Sequence, residues 1–128
     1  MLKLTKVNTH YGDVQALRNV SFEIKEKEIV SIIGSNGSGK STLGKMVKGL
    51  LSPSSGQILI EGQALKPGEI SPRVGYVFSN PENQIVSSVV EEDVAFGLEN
   101  MGMDPSLITL RVSESLRIVG MEQYRHHP

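Results

Sequence analysis

The run Gly34-Ser35-Asn36-Gly37-Ser38-Gly39-Lys40-Ser41-Thr42 follows directly on the apolar segment Glu28-Ile29-Val30-Ser31-Ile32-Ile33. Three glycines within six positions let a backbone fold around an anion with its N–H groups pointing inward. Downstream, Leu43, Met46, Val47 and Leu50 recur at helical spacing, which predicts a helix whose positive dipole end aims at the same point. Upstream, the β-branched content of 28–33 predicts a buried central strand of a parallel sheet. Strand, G-x-x-x-x-G-K-[ST] and helix together read as a phosphate-binding loop, with Lys40 placed to reach outer phosphates and the Ser41 hydroxyl to ligate Mg²⁺. The plainer alternative is a Gly/Ser-rich linker that contains a lysine, and a linker accounts for neither flank.

Composition sets modest bounds on 128 residues. Thirteen basic residues nearly cancel 14 acidic ones, so neither a nucleic-acid footprint nor a polybasic membrane anchor is indicated. The absence of cysteine excludes a disulfide framework, a thiolate metal site and a cysteine nucleophile. No apolar run approaches the roughly 20 residues of a membrane span, and the N-terminus lacks the apolar core of a secretory signal. The expectation is a soluble, cytoplasmic chain.

Along the chain, Leu2 to His10 reads as a strand ending at a Tyr11-Gly12-Asp13 turn, and Ala16 to Ile24 alternates as an antiparallel strand with one face covered. Lys25 to Lys27 makes a charged turn into the central strand. Ser52 to Gly56 is a loop by composition, Gln57 to Ile60 a strand closed by Glu61-Gly62, and Val74 to Phe78 a short buried-strand candidate. From Ser79 the character becomes helical after an Asn80-Pro81-Glu82-Asn83 turn. Ser88 with Glu91 fits a capping box, acidic residues 91–93 suit a first helical turn, and that helix runs to about Asn100. A second helix starts with Asp104 as cap and Pro105 at its first position, carrying Ile108, Val112, Leu116 and Val119 as an apolar stripe before Gly120.

This order of strand, aromatic Tyr11, phosphate loop, the hairpin Ser55 to Gly62 and Val74-Gly75-Tyr76-Val77-Phe78 resembles the ATP-binding subunit of ABC transporters. Asn80-Pro81-Glu82-Asn83-Gln84 followed by Val90 to Asn100 resembles, more narrowly, the ATPases of energy-coupling-factor importers, the cobalt-type importers among them. The resemblance covers the whole chain. It implies an α/β P-loop NTPase core of ABC ATPase type, with an antiparallel β subdomain and the start of a helical subdomain, incomplete in this sequence. Residues 1–78 would be the nucleotide-binding core with its antiparallel subdomain, and 79–128 the Q-loop region with the first part of the helical subdomain. It further implies ATP and Mg²⁺ as cofactors, Tyr11 stacked on adenine, residues 34–42 on the triphosphate and Ser41 on the metal. The partners implied are a second ATPase subunit, forming a homo- or heterodimer, and an integral membrane transporter subunit. The location implied is cytoplasmic and peripheral on the inner face of the cell membrane, and the work implied is ATP-driven import of a vitamin or metal ion.

Two departures qualify these expectations. Ser79 occupies the family's glutamine position, and a serine hydroxyl is too short to reach a metal and an attacking water as a glutamine does; Gln84 lies five residues on. The Leu-Ser-Gly-Gly-Gln-type signature and the acidic Asp-Glu motif of the family are absent, and Ile58-Leu59-Ile60-Glu61 is a hairpin strand rather than a substitute. His10, His126 and His127 do not replace the family's later histidine and read as solvated. Without base, second acidic ligand and signature donor, the chain alone is expected not to turn over ATP. A small kinase or GTPase is the competing enzyme reading, disfavoured by residues 80–100; a non-hydrolysing module that docks on a transporter membrane subunit through the region 84–103 is the competing binding reading.

Overall fold

Tyr11 pairs with Val14 across the two residues Gly12 and Asp13, where Gly12 takes φ 59°. That tight turn joins β1 (Leu2–Tyr11) to β2 (Val14–Ile24) and sets a register in which Leu4 faces Phe22 and Leu2 faces Ile24. The computed structural model describes residues 1–128. On the other side of β1 lies β3 (Ser55–Ile60), and beyond it the two-residue β4 (Gln63–Ala64), giving an antiparallel sheet of order β2-β1-β3-β4. The β3–β4 turn uses Glu61 and Gly62, both at positive φ as a primed two-residue turn requires.

Strict alternation would put Leu4 and Val7 on opposite faces of β1, yet both are buried. An irregularity between them, with Lys6 at φ 47°, shifts the register and turns Leu4, Val7 and Thr9 to the same side. Gly56 fits there because a Cβ at that position would overlap the Lys6 carbonyl. Against this face packs α1 (Lys40–Lys48), inserting Leu43 and Met46 among Leu4, Val7, Leu17, Ile58 and Ile60. Met46 is fully buried, and the Thr9 hydroxyl donates to its sulfur at 2.8 Å. Gly49 at φ 95° ends the helix, so Leu50 of the expected stripe lies beyond it.

Two expected strands are not formed. Residues 28–33 and 74–78 carry no sheet pairing, and Ile29 and Ile33 are 99% and 93% exposed. The reason is a matter of partners: a parallel strand is stable when neighbours take up its N–H and C=O groups and cover both faces, whereas β1 to β4 pair among themselves. Lys48 holds the second segment by donating to the carbonyls of Ser71 and Val74 at 2.7 and 2.6 Å.

Residues Met1–Tyr76 and Val77–Pro128 form two compact units. In the second, a 3₁₀ turn at Pro81–Asn83 is capped by the Asn80 side chain, which accepts from Glu82 N. Helices α2 (Val90–Asn100) and α3 (Pro105–Ile118) pack through Ala95, Val112 and Leu116, with Val94, Leu98 and Ile108 partly buried. Asp104 caps α3 as expected, accepting from Ser106 N at 2.9 Å, while Val119 falls past the last helical residue and is exposed. The Ser88–Glu91 capping box is not formed: Val89 is the N-cap and contributes no side-chain bond. The first amides of α2 go instead to the backbone near the chain's end, Val90 N to His127 O at 3.0 Å and Glu91 N to Arg125 O at 2.9 Å.

That arrangement frees the Glu91 carboxylate for side chains. Arg125 Nε donates to it at 3.1 Å and His126 Nδ1 lies 2.9 Å from its other oxygen, so His126 is engaged rather than merely solvated. His127 likewise meets the Tyr124 ring edge-on, with centroids 5.6 Å apart. None of the helices is long and apolar enough to cross a membrane.

Two outcomes are expected. The chain self-associates through its unpaired apolar segments, so size-exclusion chromatography with light scattering gives a mass above that of one chain, and Ile29→Lys with Ile33→Lys lowers it; a clean monomer of the unsubstituted chain contradicts this. The Arg125 guanidinium, followed by His126, holds the Glu91 carboxyl below the ordinary glutamate value. A folded-state value below the unfolded one gives stability that is present above the unfolded value and lost as pH falls through the folded one. Helix content followed by circular dichroism should therefore drop on acidification below about pH 4.5, and Glu91→Gln should flatten that limb.

Candidate phosphate-binding site

The N-terminus of α1 is built to face an anion. Gly39, its N-cap, adopts φ 97°, no side chain caps the helix, and no acidic residue stands in its first turn, so the leading N–H groups and the positive end of the dipole stay available. Gly37 also takes positive φ, at 82°. Gly39 serves a second purpose: a Cβ there would sit 2.8 Å from Leu17 Cδ2 and 2.9 Å from the Ala16 carbonyl. The loop is thus pressed directly onto β2, and only a residue without a side chain allows it.

Lys40 curls back over the loop. Its ammonium donates to the carbonyls of Gly34 at 2.6 Å and Ser35 at 2.7 Å, and more loosely to Ser38 Oγ at 3.2 Å. An ammonium has three donors. Two are spent on fixing the charge over the loop, and the third rests on the weakest partner, the one an arriving phosphate oxygen would replace most readily. The Ser38 N–H to Ser35 carbonyl bond at 3.2 Å closes the turn beneath.

A cavity of about 390 Å³ opens beside this loop, lined by Tyr11, Asn36, Gly37, Gly39, Lys40, Ser41 and Thr42. Of the residues expected from sequence, these seven come together. Gly34, Ser35 and Ser38 act one step back, through Lys40. Tyr11 is half exposed, with its hydroxyl 3.3 Å from Thr42 Oγ1. Val14, Gln15 and Ala16 complete the lining and were not anticipated. The signal for them was the hairpin itself, because a two-residue turn after Tyr11 returns the next residues of β2 to the same end of the sheet. The Gln15 amide is already engaged, donating to Asn8 Oδ1 and accepting from Arg18 Nε. That leaves the ring of Tyr11 and the side chains of Val14 and Ala16 as the chemistry offered away from the loop.

Ser79, at the expected glutamine position, is exposed in a bend of the second unit. Beside it, Phe78 N donates to Gln84 Oε1 at 3.0 Å, which turns the Gln84 carbonyl onto the backbone immediately before Ser79. A separate cavity of about 330 Å³ within this unit is lined by Glu91, Glu92 and Glu99 together with Arg125 and apolar residues of α3. Three carboxylates suit it poorly to phosphate. No group of three His, Cys, Asp or Glu side chains stands close enough to hold a metal ion without further oxygen ligands.

Comparison with known proteins places this geometry in a family. The ABC transporter family model matches residues 17–128. Among curated relatives, the energy-coupling factor transporter ATP-binding protein EcfA of Syntrophomonas wolfei is 49% identical over 118 residues, covering 89% of this chain and 43% of that protein. EcfA1 of Methanospirillum hungatei is 46% identical over 127 residues, covering 94% of this chain and 46% of that one. The chain therefore spans less than half the length of these relatives. Among solved structures, cbiO1 of Clostridium perfringens, described as part of the ABC transporter complex cbiONQ, superimposes with a TM-score of 0.82 at 38% identity, covering 99% of this chain and 53% of the other. The post-hydrolysis ATP-binding cassette MJ0796, bound to ADP and Pi as a dimer, gives 0.76 at 28% identity, covering 99% and 61%. An uncapped α1 behind a Lys40-bearing glycine loop, with this match and these relatives, identifies the chain as a member of the ABC transporter family.

Proposed function

We propose that this chain binds ATP with Mg²⁺ as the nucleotide-holding portion of a transport ATPase, and that this binding serves the import of a vitamin or metal ion. The observation that carries the reading is the Lys40 ammonium tied down over the open N-terminus of α1, on the same cavity as Tyr11. Residues 34–42 hold the triphosphate: backbone N–H groups of the loop and first helical turn surround it, and Lys40 neutralises its outer charge. Tyr11 offers a ring face to the base, and the engaged Gln15 amide leaves it without a competing base-edge reader. Ser41 would supply the protein's oxygen to Mg²⁺. The ion, when bound, would offset charge that develops on the phosphates.

Residues 1–78 then act as the nucleotide-binding core and 79–128 as the region that communicates with a membrane subunit. A second ATPase subunit and an integral membrane subunit are the partners, with the chain on the cytoplasmic face of the cell membrane. Phosphoryl transfer to water depends on positioning and electrostatics. The chain has neither the Asp-Glu carboxylates nor the signature donor, and Ser79 is too short to align a water, so binding without turnover is the state expected of it alone. A second reading, a non-hydrolysing module that docks on a transporter membrane subunit, draws support from the exposed Ile85, Val86 and Phe96 of the second unit.

Thermal unfolding with and without MgATP tests the first reading. A ligand at a hundredfold excess over its dissociation constant stabilises by about 2.7 kcal/mol, so a clear upward shift is expected, lost in Lys40→Ala. Gly39→Ala should both destabilise the free chain by about 1–3 kcal/mol, through positive φ and overlap with β2, and abolish the shift. Steady-state hydrolysis should stay at background. An unsubstituted chain that unfolds cooperatively without any shift rejects nucleotide binding and leaves the docking reading, while turnover abolished by Lys40→Ala rejects the inactivity.

A further inference from the structure

Two lysines at opposite ends of α1 each hold a piece of chain that carries no sheet pairing. At the start, Lys40 lies on the carbonyls of Gly34 and Ser35, just past 28–33. At the finish, Lys48 donates to the carbonyls of Ser71 and Val74, where 74–78 begins. The second attachment is the more heavily built. Ser71 is buried, and its N–H donates to the Lys48 carbonyl at 2.8 Å. At Gly49 the helix end and the chain approach so closely that a Cβ would sit 2.1 Å from the Glu69 carbonyl oxygen. A Cβ at Gly44 would in turn meet Tyr76 Cε2 at 3.3 Å. Residues 69–76 thus lie along α1 from its end back to its middle. Backbone carbonyls without a ladder need other donors, and the partly buried Lys48 ammonium serves both that flank the Pro72-Arg73 turn.

We propose that Lys48 is a positioning residue that joins residues 69–76 to α1 as one opening unit, so that an anion settling at the start of the helix also steadies the end of the first unit. This rests on the nucleotide reading given above and adds to it a route out of the site. Segments of a protein open locally at different free energies, and a ligand suppresses those openings that destroy its site. A segment tied only to itself opens without disturbing α1 and does not respond to the ligand. The backbone bond at Ser71 holds the near side of the turn, and the ammonium extends that hold across it to Val74. Helix α1 has nine residues and is anchored through Leu43 and Met46, so its two ends move together.

Amide hydrogen exchange of the full chain, followed over α1 and over residues 69–76, tests this with and without MgATP. At a hundredfold excess over the dissociation constant, MgATP should slow exchange on the order of a hundredfold in α1, and by a comparable factor at Ser71 and Arg73. In Lys48→Met, which keeps an apolar stem and loses the donors, α1 should still be slowed. Residues 69–76 should then exchange faster and no longer respond to MgATP. Lys48→Arg, which keeps donors for the two carbonyls, should restore the response, and Lys45→Met on the same helix should leave it unchanged. A response at 69–76 that survives Lys48→Met overturns the proposal. So does slowing confined to α1 in the unsubstituted chain, a result that stands even if Lys48→Met does not fold and that leaves the nucleotide reading intact. Exchange that MgATP slows nowhere rejects the nucleotide reading and this proposal with it.

Discussion

The close approach of Gly39 to Ala16 and Leu17 is the constraint on which the first unit turns. It fixes where α1 begins relative to the sheet. Starting there, the helix delivers Leu43 and Met46 onto the buried face of β1, where the sulfur of Met46 takes up the otherwise unpaired hydroxyl of Thr9. The same approach brings the start of β2 alongside the loop, so Val14 to Ala16 become a wall of the cavity. Packing and site are therefore one arrangement: the glycine that allows the helix to dock is also the residue that leaves its N-terminus open.

The second unit solves the parallel problem differently. Helix α2 begins without a side-chain cap, and two of its leading amides are satisfied by carbonyls of residues 125 and 127. Glu91, with its carboxylate shared between Arg125 and His126, ties the same segment to the helix a second time. Asp93 closes the other side by accepting from Val86 and Ser87 N–H groups at 2.7 and 3.0 Å. An acidic first turn here organises the chain before and after the helix, beyond its favourable interaction with the dipole.

What was legible in the sequence is what short-range chemistry decides. The glycine loop, the Tyr11-Gly12-Asp13 turn, the Asn80-Pro81-Glu82-Asn83 turn and the Asp104-Pro105 helix start each depend on residues a few positions apart, and each is formed. The rest depends on neighbours remote in sequence. The irregularity at Lys6 that aligns Leu4 with Val7 needs β2 and β3 in place, and the cap on α2 comes from the remote carbonyls of Arg125 and His127. Residues 28–33 have the composition of a central strand, but composition states what a segment prefers when flanked, and flanking strands are a property of the sheet. At the site, the loop residues were readable one by one, whereas the lining from β2 and the approach of the Tyr11 hydroxyl to Thr42 appear only once the hairpin and α1 share a surface.

The unpaired state of 28–33 bears directly on the loop that follows it. Gly34 and Ser35 carry two of the carbonyls that hold Lys40, and they are joined to a segment with no lateral support. Any strand that pairs with 28–33 restricts those two carbonyls and so lowers the entropy still to be lost when an anion settles beneath the lysine. Linkage makes this mutual: an anion that orders the loop must, by the same free energy, favour the pairing of the strand. Were a strand to pair with 28–33, its pairing and the occupation of the loop would favour each other through residue 34.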